Sequence, residues 1–199
     1  MADGDRPALR RRLRAARRAV AAAERPGAAA AVDAALRGLG LPRPGTRIAA
    51  YHPMDGEIDP SIVLRRASAL GCEIHYPVIT SQRSRRMRFA TEGDARNGVT
   101  SAVRSGHWLD LVLVPLVGFD ACGNRLGMGG GFYDRHFAFL RNRRAWRRPL
   151  LIGLAFELQR IPQLHDAAHD VPLWGIITER GIHGRAAAHA RGPTRGPGR

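Results

Sequence analysis

The sequence predicts an α/β protein whose central sheet, parallel or mixed, is covered by helices on both faces. Short apolar stretches typical of buried strands alternate with stretches of helical periodicity along most of the chain. The strongest strand prediction is DLVLVPLV, residues 110–117, because strands buried on both faces are almost continuously apolar. The length of 199 residues suits one domain with an appended tail.

The first predicted element is a long helix over residues 6–24, which reads RPALRRRLRAARRAVAAAE. Ala and Arg are strong helix formers, and apolar residues recur there at helical spacing. Arginines recur at intervals of four, four and three residues, which makes one face strongly cationic, although such a face is commonly only solvated surface. A second helix is predicted around residues 27–37, because glycines that suit helix C-termini follow it. The arginines of the cationic face are Arg6, Arg10, Arg14 and Arg17.

Strands and one further helix are predicted in the middle of the chain. TRIAAYH, residues 46–52, is a candidate buried strand, and a helix is expected from about Pro60 to Leu70. EIHYPVI (73–79) and RMRFA (86–90) are the next strands, separated by a basic loop.

The strand at 110–117 is followed by a glycine-rich loop and a helix predicted from about Phe132 to Arg141. LLIGLAF (150–156) and WGIITE (174–179) are the last strands. The remaining residues contain too few apolar side chains to bury a core, so the domain is expected to span 1–185 and a disordered basic tail 186–199.

Composition excludes several classes of protein. No apolar run is long enough to span a membrane, and no signal-peptide region is evident. Cys72 and Cys122 form no close-spaced metal or redox pair, and they are interpreted as buried thiols in a reducing cytoplasm.

The formal net charge of +15 raises the possibility of nucleic-acid binding. All 32 basic residues are arginine, however, and aromatic residues do not alternate with them as a single-strand binder would require. We interpret the arginine content as compositional bias and disfavour nucleic acid as a partner. The absence of lysine also excludes a Walker A loop and a Schiff-base enzyme.

The candidate site is NRLGMGGGFYDRHF, residues 124–137, in which four glycines fall within five positions. In α/β sheets, ligands bind where loops leave the carboxyl ends of strands. Bare backbone N–H groups and the positive end of the following helix suit an anion. A flexible hairpin tip is the alternative, and Asp134 has an ordinary role available in offsetting the helix dipole.

The longer string PLVGFDACGNRLGMGGGFYDR resembles the signature of the 5-formyltetrahydrofolate cyclo-ligase family. Further stretches agree with the family in order and spacing, so the resemblance covers about residues 6–180. It implies a single-domain three-layer α/β/α fold with a mostly parallel sheet, similar to that of CoA transferases. The other matching stretches are RPALR (6–10), YHPMDGEID (51–59), RMRFA (86–90), LIGLAFELQ (151–159) and HDVPLWGIITE (169–179).

The resemblance implies an enzyme that uses ATP and Mg²⁺ to close 5-formyltetrahydrofolate to 5,10-methenyltetrahydrofolate, with release of ADP and phosphate. The formyl oxygen attacks the γ-phosphate, and N10 then closes the ring as phosphate leaves. Such a reaction requires positioned donors, guanidinium groups and a metal ion. The chain is expected to act as a monomer or homodimer without a membrane.

The family's functional residues can be transferred by matching position. ATP-binding residues would be Arg6, Arg10, Arg125, Leu126, Gly127, Met128, Gly129, Gly130, Gly131, Phe132 and Tyr133. Of these, Arg125 and Tyr133, together with Asp134, would be catalytic. Folate would contact His52, Glu57 and the loop residues Met128 to Phe132. Asp134 and Asp170 would bind Mg²⁺, which needs few protein carboxylates beside phosphate oxygens and water.

Three departures from the family pattern stand out. Arg6 stands where lysine is usual, and Met128 and Gly130 replace positions that are often basic or bulky. The family's Gly-Ile-x-Glu-Pro stretch reads GVTSAVRS here, residues 98–105. An inactive or repurposed relative that binds another ligand therefore stays open as an alternative.

Other patterns have plainer interpretations. His165, Asp166, His169 and Asp170 are spaced too loosely for a transition-metal site and are read as surface residues. The tryptophans Trp108, Trp146 and Trp174 are expected to pack rather than stack on bases. The basic run Arg83, Arg85, Arg86 and Arg88 is read as a solvated loop, with attraction of a folate polyglutamate tail as the alternative.

Overall fold

A computed structural model describes residues 6–96, 104–141, 148–164 and 170–190 of the chain. Its strands are β1 (Arg47–Ala49), β2 (Glu73–Ser81), β3 (Arg86–Ala90), β4 (Leu111–Pro115), β5 (Gly118–Phe119), β6 (Arg125–Leu126), β7 (Leu150–Leu154), β8 (Gly175–Thr178) and β9 (Gly181–His183). Its α-helices are α1 (Arg6–Arg18), α2 (Arg25–Gly38), α3 (Ser61–Ala69), α4 (Glu92–Arg96), α5 (Phe132–His136) and α6 (Arg185–Ala190).

Seven strands form one sheet in the order β3-β2-β1-β4-β7-β8-β9, and β5 pairs with β6 in a separate two-stranded ribbon. The five central strands of the sheet are parallel. The two outermost strands, β3 and β9, are antiparallel to their neighbours. The prediction of a mostly parallel central sheet is therefore confirmed.

Side chains from the central strands enter two separate apolar layers. In β4, Leu111 and Leu113 pack on the side of α2, α3 and α6, whereas Val112 and Val114 pack on the side that holds Phe137. This alternation is what a pleated strand covered on both faces requires. The three-layer arrangement expected from the sequence is thus present.

Several predicted boundaries shift. α1 ends at Arg18 rather than at residue 24, because the Arg25 guanidinium donates to the carbonyl oxygens of Arg17, Arg18 and Val20 and satisfies that helix end. α5 ends at His136 rather than at Arg141, and a 3₁₀ turn follows it. The short strands β5, β6 and β9 had no alternating apolar pattern by which to predict them.

The predicted disordered tail differs from the structure over residues 186–190, which belong to α6. Ala186 is fully buried against Gly175, where an added Cβ would approach the Ala186 Cβ to 2.3 Å. The contact of one small side chain with a glycine therefore docks this helix on the domain. The sequence has no apolar periodicity there from which the helix could be predicted. Residues 191–199 lie outside the described part.

In the described part of the chain, no helix combines the length and the apolar character needed to cross a membrane. Of the three tryptophans, Trp174 is buried in the core and Trp108 is partly buried beside it, as expected for packing residues. Trp146 lies outside the described residues.

Candidate active site

The site forms where the chain direction across the sheet reverses. After β1 the chain crosses through α3 to β2 on one side, and after β4 it continues to β7 on the other. β1 and β4 are adjacent and parallel, so their carboxyl ends open the crevice in which α/β proteins bind ligands. The loop after β1 contains residues 51–59, and the segment after β4 leads to the glycine loop.

The glycine loop, residues 127–131, returns to the end of β4 through the β5–β6 ribbon. The backbone N–H of Val117 donates to the Leu126 carbonyl at 2.8 Å and fixes the start of the loop. Gly129 and Gly131 have φ angles of 99° and 65°, in the region that favours glycine. Gly131 then immediately precedes α5. Gly129 and Gly131 are therefore required by the backbone path itself.

A cleft of about 770 Å³ lies over this loop. The residues proposed for the nucleotide and for the metal all line the cleft: Arg6, Arg10, Arg125, Leu126, Gly127, Met128, Gly129, Gly130, Gly131, Phe132, Tyr133, Asp134 and Asp170. The fold therefore brings together residues from α1, the glycine loop, α5 and the segment before β8.

Arg10 connects α1 to the glycine loop. Its Nε donates to the Gly127 carbonyl at 2.9 Å, and its guanidinium carbon would stand 3.6 Å from a Cβ at Gly129. Leu9 and Leu13 on the neighbouring face of α1 pack against Leu126, which positions the helix. The cationic face is thus partly a wall of the cleft rather than solvated surface.

Arg125 and Asp134 form an ion pair inside the cleft. The Arg125 guanidinium, whose side chain is 5% exposed, donates to Asp134 Oδ1 and to the Val171 carbonyl. Asp134 Oδ1 also accepts from the Val171 N–H at 3.0 Å. Both contacts use Oδ1, and among the described residues none donates to Oδ2. The pair ties α5 to the segment that carries Asp170.

Tyr133 occupies the inner side of the cleft. Burial is the main cause that raises the pKa of its phenol, and the negative charge of Glu57 raises it further. The hydroxyl therefore stays protonated and can donate a hydrogen bond. The Tyr51 phenol is affected in the same way, since burial and then the charge of Glu57 raise its pKa.

The loop after β1 contains a tight turn at Met54–Glu57. Asp55 and Gly56 both have positive φ angles, 53° and 77°, and the Glu57 N–H donates to the Met54 carbonyl at 3.1 Å. An Asp-Gly pair suits this turn, because both central residues must be left-handed. The Tyr51 hydroxyl closes the loop by donating to the Ile58 carbonyl at 2.7 Å.

Arg17 was expected on the cationic face of the first helix, but its side chain is buried and contacts several segments. Its side chain is 1% exposed, and it donates to Glu57 Oε1 at 3.4 Å and to the Leu116 carbonyl at 3.1 Å. It also donates to the Asp55 carbonyl and carboxylate at 3.0 and 3.1 Å. Arg17 therefore joins α1, the loop after β1 and the end of β4. The acidic pair flanking Gly56 was the available signal for such a partner.

The two residues predicted for the pterin, Glu57 and His52, are not among the described residues that line the 770 Å³ cleft. Glu57 is 6% exposed, and burial raises the pKa of its carboxyl despite the hydrogen bond from the Met54 N–H and the charge of Arg17. His52 stacks on Tyr76 with ring centroids 4.2 Å apart. Both residues lie on the β1 side of the crevice.

Three arginines line the cleft without having been assigned to it from the sequence. Arg85 comes from the β2–β3 turn, while Arg135 and Arg141 come from α5 and the segment after it. The spacing of charges along the chain could not reveal this, because the three residues come from different elements.

Some predicted features cannot be placed. His165, Asp166 and His169 lie outside the described residues, as do residues 98–103 of the GVTSAVRS stretch. Within the described residues, no group of three or more His, Cys, Asp or Glu side chains could hold a metal ion by itself. The described residues alone would therefore leave a metal at Asp134 with coordination positions for other ligands.

Comparison with known proteins agrees with this arrangement. The chain is 30% identical over 152 residues to the 5-formyltetrahydrofolate cyclo-ligase of Haemophilus influenzae, which covers 68% of this chain and 76% of that protein. It is 28% identical over 197 residues to the cyclo-ligase of Mycolicibacterium smegmatis, covering 92% of this chain and 98% of that one.

Solved structures give the same result. The 5,10-methenyltetrahydrofolate synthetase of Mycoplasma pneumoniae superposes with a TM-score of 0.71 at 25% identity, covering 88% of this chain and 99% of that one. The corresponding protein of Aquifex aeolicus has a TM-score of 0.69 at 22% identity, covering 90% and 92%, and shows the same fold. The 5-formyltetrahydrofolate cyclo-ligase family profile matches residues 2–179. The chain therefore belongs to the 5-formyltetrahydrofolate cyclo-ligase family.

Proposed function

We propose that the protein is a 5-formyltetrahydrofolate cyclo-ligase, which converts 5-formyltetrahydrofolate and ATP to 5,10-methenyltetrahydrofolate, ADP and phosphate. Membership of the family supports the activity. The observation that carries the proposal is the cleft at the reversal of the sheet, where a glycine loop and six arginines from five segments face one space. The two cysteines are free thiols, although Cys122 is exposed and Cys72 only partly buried rather than both buried as expected, and we propose a cytoplasmic enzyme.

In the proposed reaction the formyl oxygen attacks the γ-phosphorus as ADP leaves. N10 then attacks the activated formyl carbon and loses its proton to solvent, and the C–O bond breaks to release phosphate. Negative charge spreads over the phosphoryl oxygens, so positioned donors carry most of the catalysis. Arg10 is held at the loop by Gly127, and the protonated Tyr133 hydroxyl is a further donor. The loop N–H groups complete the set.

Mg²⁺ fits the acidic side of this cleft as the metal bound with ATP. Asp134 Oδ1 is engaged by Arg125 and Val171, which fixes the carboxylate, while Oδ2 accepts nothing from the described residues. Asp134 and Asp170 would hold the ion together with phosphate oxygens and water, the ligands that Mg²⁺ prefers. The ion would neutralise charge on the phosphates. Asp134 itself orients Arg125.

The folate would lie between the glycine loop and the loop after β1. Met128 is half-exposed at the cleft and offers an apolar surface to a ring. Glu57 would accept from the paired N–H donors of the pterin, for which a carboxylate is suited. Its contact with Arg17 fixes its orientation in advance. His52 would stand at the outer side of the same pterin pocket.

The direct test is the spectrophotometric formation of 5,10-methenyltetrahydrofolate by the purified protein, followed together with ADP release. We expect product only when ATP and 5-formyltetrahydrofolate are both present, with one ADP per product. A rate of ATP hydrolysis that does not depend on 5-formyltetrahydrofolate would instead favour a relative that binds another ligand. The stretch GVTSAVRS at 98–105, which lacks the family's Glu-Pro pair, is the observation that keeps this second candidate open.

A further inference from the structure

Arg85 has no role in the function proposed above, yet it lines the cleft from the β2–β3 turn. Arg85 is the last residue of this turn, and its N–H donates to the Gln82 carbonyl at 3.2 Å. Its Nη1 lies 3.5 Å from the position that a Cβ on Gly131 would take. The hairpin therefore brings one guanidinium across the sheet edge to the last glycine of the loop.

The backbone at Arg85 is left-handed, with φ of 52°. An L-residue is strained there, and glycine is the relaxed choice after a turn of this kind. Within the described residues only one other non-glycine residue has a positive φ, namely Asp55. The Asp55 carboxylate is held by Arg14, Arg17 and Arg18, so protein contacts account for that conformation.

No comparable contacts account for Arg85. Its guanidinium makes no hydrogen bond or ion pair with the residues that the structure describes, and the side chain is exposed. Arg10 and Arg125, in contrast, each donate to protein carbonyls or carboxylates. A strained residue whose side chain serves no structural contact is a candidate for function.

The charge in the cleft points to the class of ligand. Six arginines line it, namely Arg6, Arg10, Arg85, Arg125, Arg135 and Arg141, against the two carboxylates Asp134 and Asp170. Arg125 is paired with Asp134, whereas Arg85 makes no such contact with the described residues. The excess of arginines over carboxylates in the lining favours an anionic ligand at the loop.

We propose that Arg85 binds an anionic group of a substrate at the Gly131 end of the loop, supplying from the β2–β3 hairpin a cation that the loop itself lacks. The group is a phosphate of the nucleotide or a carboxylate of the folate, since a guanidinium binds both through paired N–H donors. The assignment deepens the proposed function and rests on it for the identity of the substrates.

The test compares Arg85→Gly, Arg85→Ala and Arg85→Lys with Arg83→Ala, a neighbouring exposed arginine that does not line the cleft. Calorimetry with a non-hydrolysable ATP analogue reports the phosphate contact. Titration of 5-formyltetrahydrofolate with one or five glutamates reports the carboxylate contact. We expect about tenfold weaker binding of one of these ligands in the Gly and Ala variants, as for loss of a charge-assisted hydrogen bond. The Lys variant should recover part of it.

Arg85→Gly separates function from folding. Because glycine relaxes the left-handed backbone, its melting temperature should equal or exceed that of the unaltered protein while its affinity falls. Unchanged affinities for both ligands, or an equal loss in Arg83→Ala, would overturn the proposal. The two proposals can fail independently. If Arg85 is needed to bind the ATP analogue but the protein forms no methenyltetrahydrofolate, the proposed function is wrong and the Arg85 contact is supported.

Discussion

Both halves of α1 carry arginines, but the two sets have opposite environments. In the N-terminal half, Arg6 and Arg10 line the cleft beside the glycine loop. In the C-terminal half, Arg14, Arg17 and Arg18 bind the carboxylate of Asp55. One half faces a space suited to an anionic ligand, whereas the other is neutralised by the protein itself.

This difference shows that the role of an arginine depends on its partners rather than on its spacing. The Asp-Gly turn at 55–56 points its carboxylate at one half of the helix, and the bare glycine loop leaves the other half facing the ligand space. Substitutions in the first half should therefore change substrate constants, and those in the second should change the free energy of unfolding.

The largest expected effect is that of Arg17→Met. The change leaves the buried Glu57 carboxylate without its ion-pair partner, although the Leu116 carbonyl keeps the hydrogen bond from Gln159 Nε2. Removal of one partner of a buried ion pair costs about 3–5 kcal/mol. Urea unfolding should report that loss. The control is Arg18→Ala, whose side chain is 51% exposed and whose loss should be about 0.5 kcal/mol. Similar losses for the two variants would contradict the proposed division of α1.

Asp134→Asn extends the comparison to the other wall of the cleft. The amide keeps an acceptor for Arg125 but removes the charge proposed to hold Mg²⁺, so kcat should fall about 100-fold and more Mg²⁺ should be needed. A magnesium titration of turnover checks this expectation. Glu73→Gln, an exposed carboxylate away from the cleft, serves as the control. Normal turnover of Asp134→Asn at limiting Mg²⁺ would leave Asp134 only a structural partner of Arg125.

Glu57→Gln tests whether the carboxylate that pairs with Arg17 in the C-terminal half of α1 also binds folate. A neutral amide cannot match two pterin donors as a carboxylate does, so folate affinity should fall by roughly 1–3 kcal/mol. Calorimetric titration with 5-formyltetrahydrofolate measures the loss, and affinity for the ATP analogue is the internal control. Unchanged folate affinity would restrict Glu57 to its structural contact with Arg17.

Arg10→Ala should raise the KM for ATP about tenfold while changing the KM for folate far less, because Arg10 is fixed at the glycine loop. Steady-state kinetics with each substrate varied in turn measure both constants. Arg14→Ala, four residues along the same helix, should leave the KM for ATP unchanged, since its partner is Asp55. Equal changes in both constants for Arg10→Ala would count against nucleotide contact.

The smallest effect concerns acid stability. Hydrogen bonds from Arg14 and Arg18 hold the pKa of Asp55 below its ordinary 3.8, and mainly Arg47 lowers the pKa of Asp110 to about 2. A carboxyl whose pKa is lowered in the folded state stabilises the fold at pH values above its ordinary pKa. That contribution to the free energy of unfolding is lost as the pH falls through the folded-state pKa. Stability should thus decline from about pH 4 to pH 2, less steeply in Asp55→Asn. Identical slopes in acid unfolding would deny Asp55 this contribution.

Glu57 should act in the opposite direction. Because burial raises its pKa above the ordinary 4.5, its contribution is present below that value and lost as the pH rises through the folded-state pKa. A flatter stability profile in this range for Glu57→Gln would distinguish the two carboxylates of one turn.

The sequence predicted the fold class and the glycine loop, because continuous apolar strands and a long motif are local signals. It could not predict the burial of Arg17, since the partners Asp55, Glu57 and Leu116 lie tens of residues away. Nor could it predict α6, whose docking depends on one alanine over one glycine. The shortness of α5 also shifts the expected anion contacts from a helix dipole to loop N–H groups and arginines.

The outer strands of the sheet bear on self-association. β3 places exposed Arg86 and Arg88 beside buried Met87 and Phe89, and its pairing with β2 is broken by an irregularity at Ile79–Ser81. β9 at the opposite side has only three residues. Repelling charges, a bulge and a short strand all hinder edge-to-edge pairing between chains. The same arginine-rich hairpin that brings Arg85 to the cleft therefore disfavours pairing of a second chain with β3, whose Phe89 already pairs with Arg104.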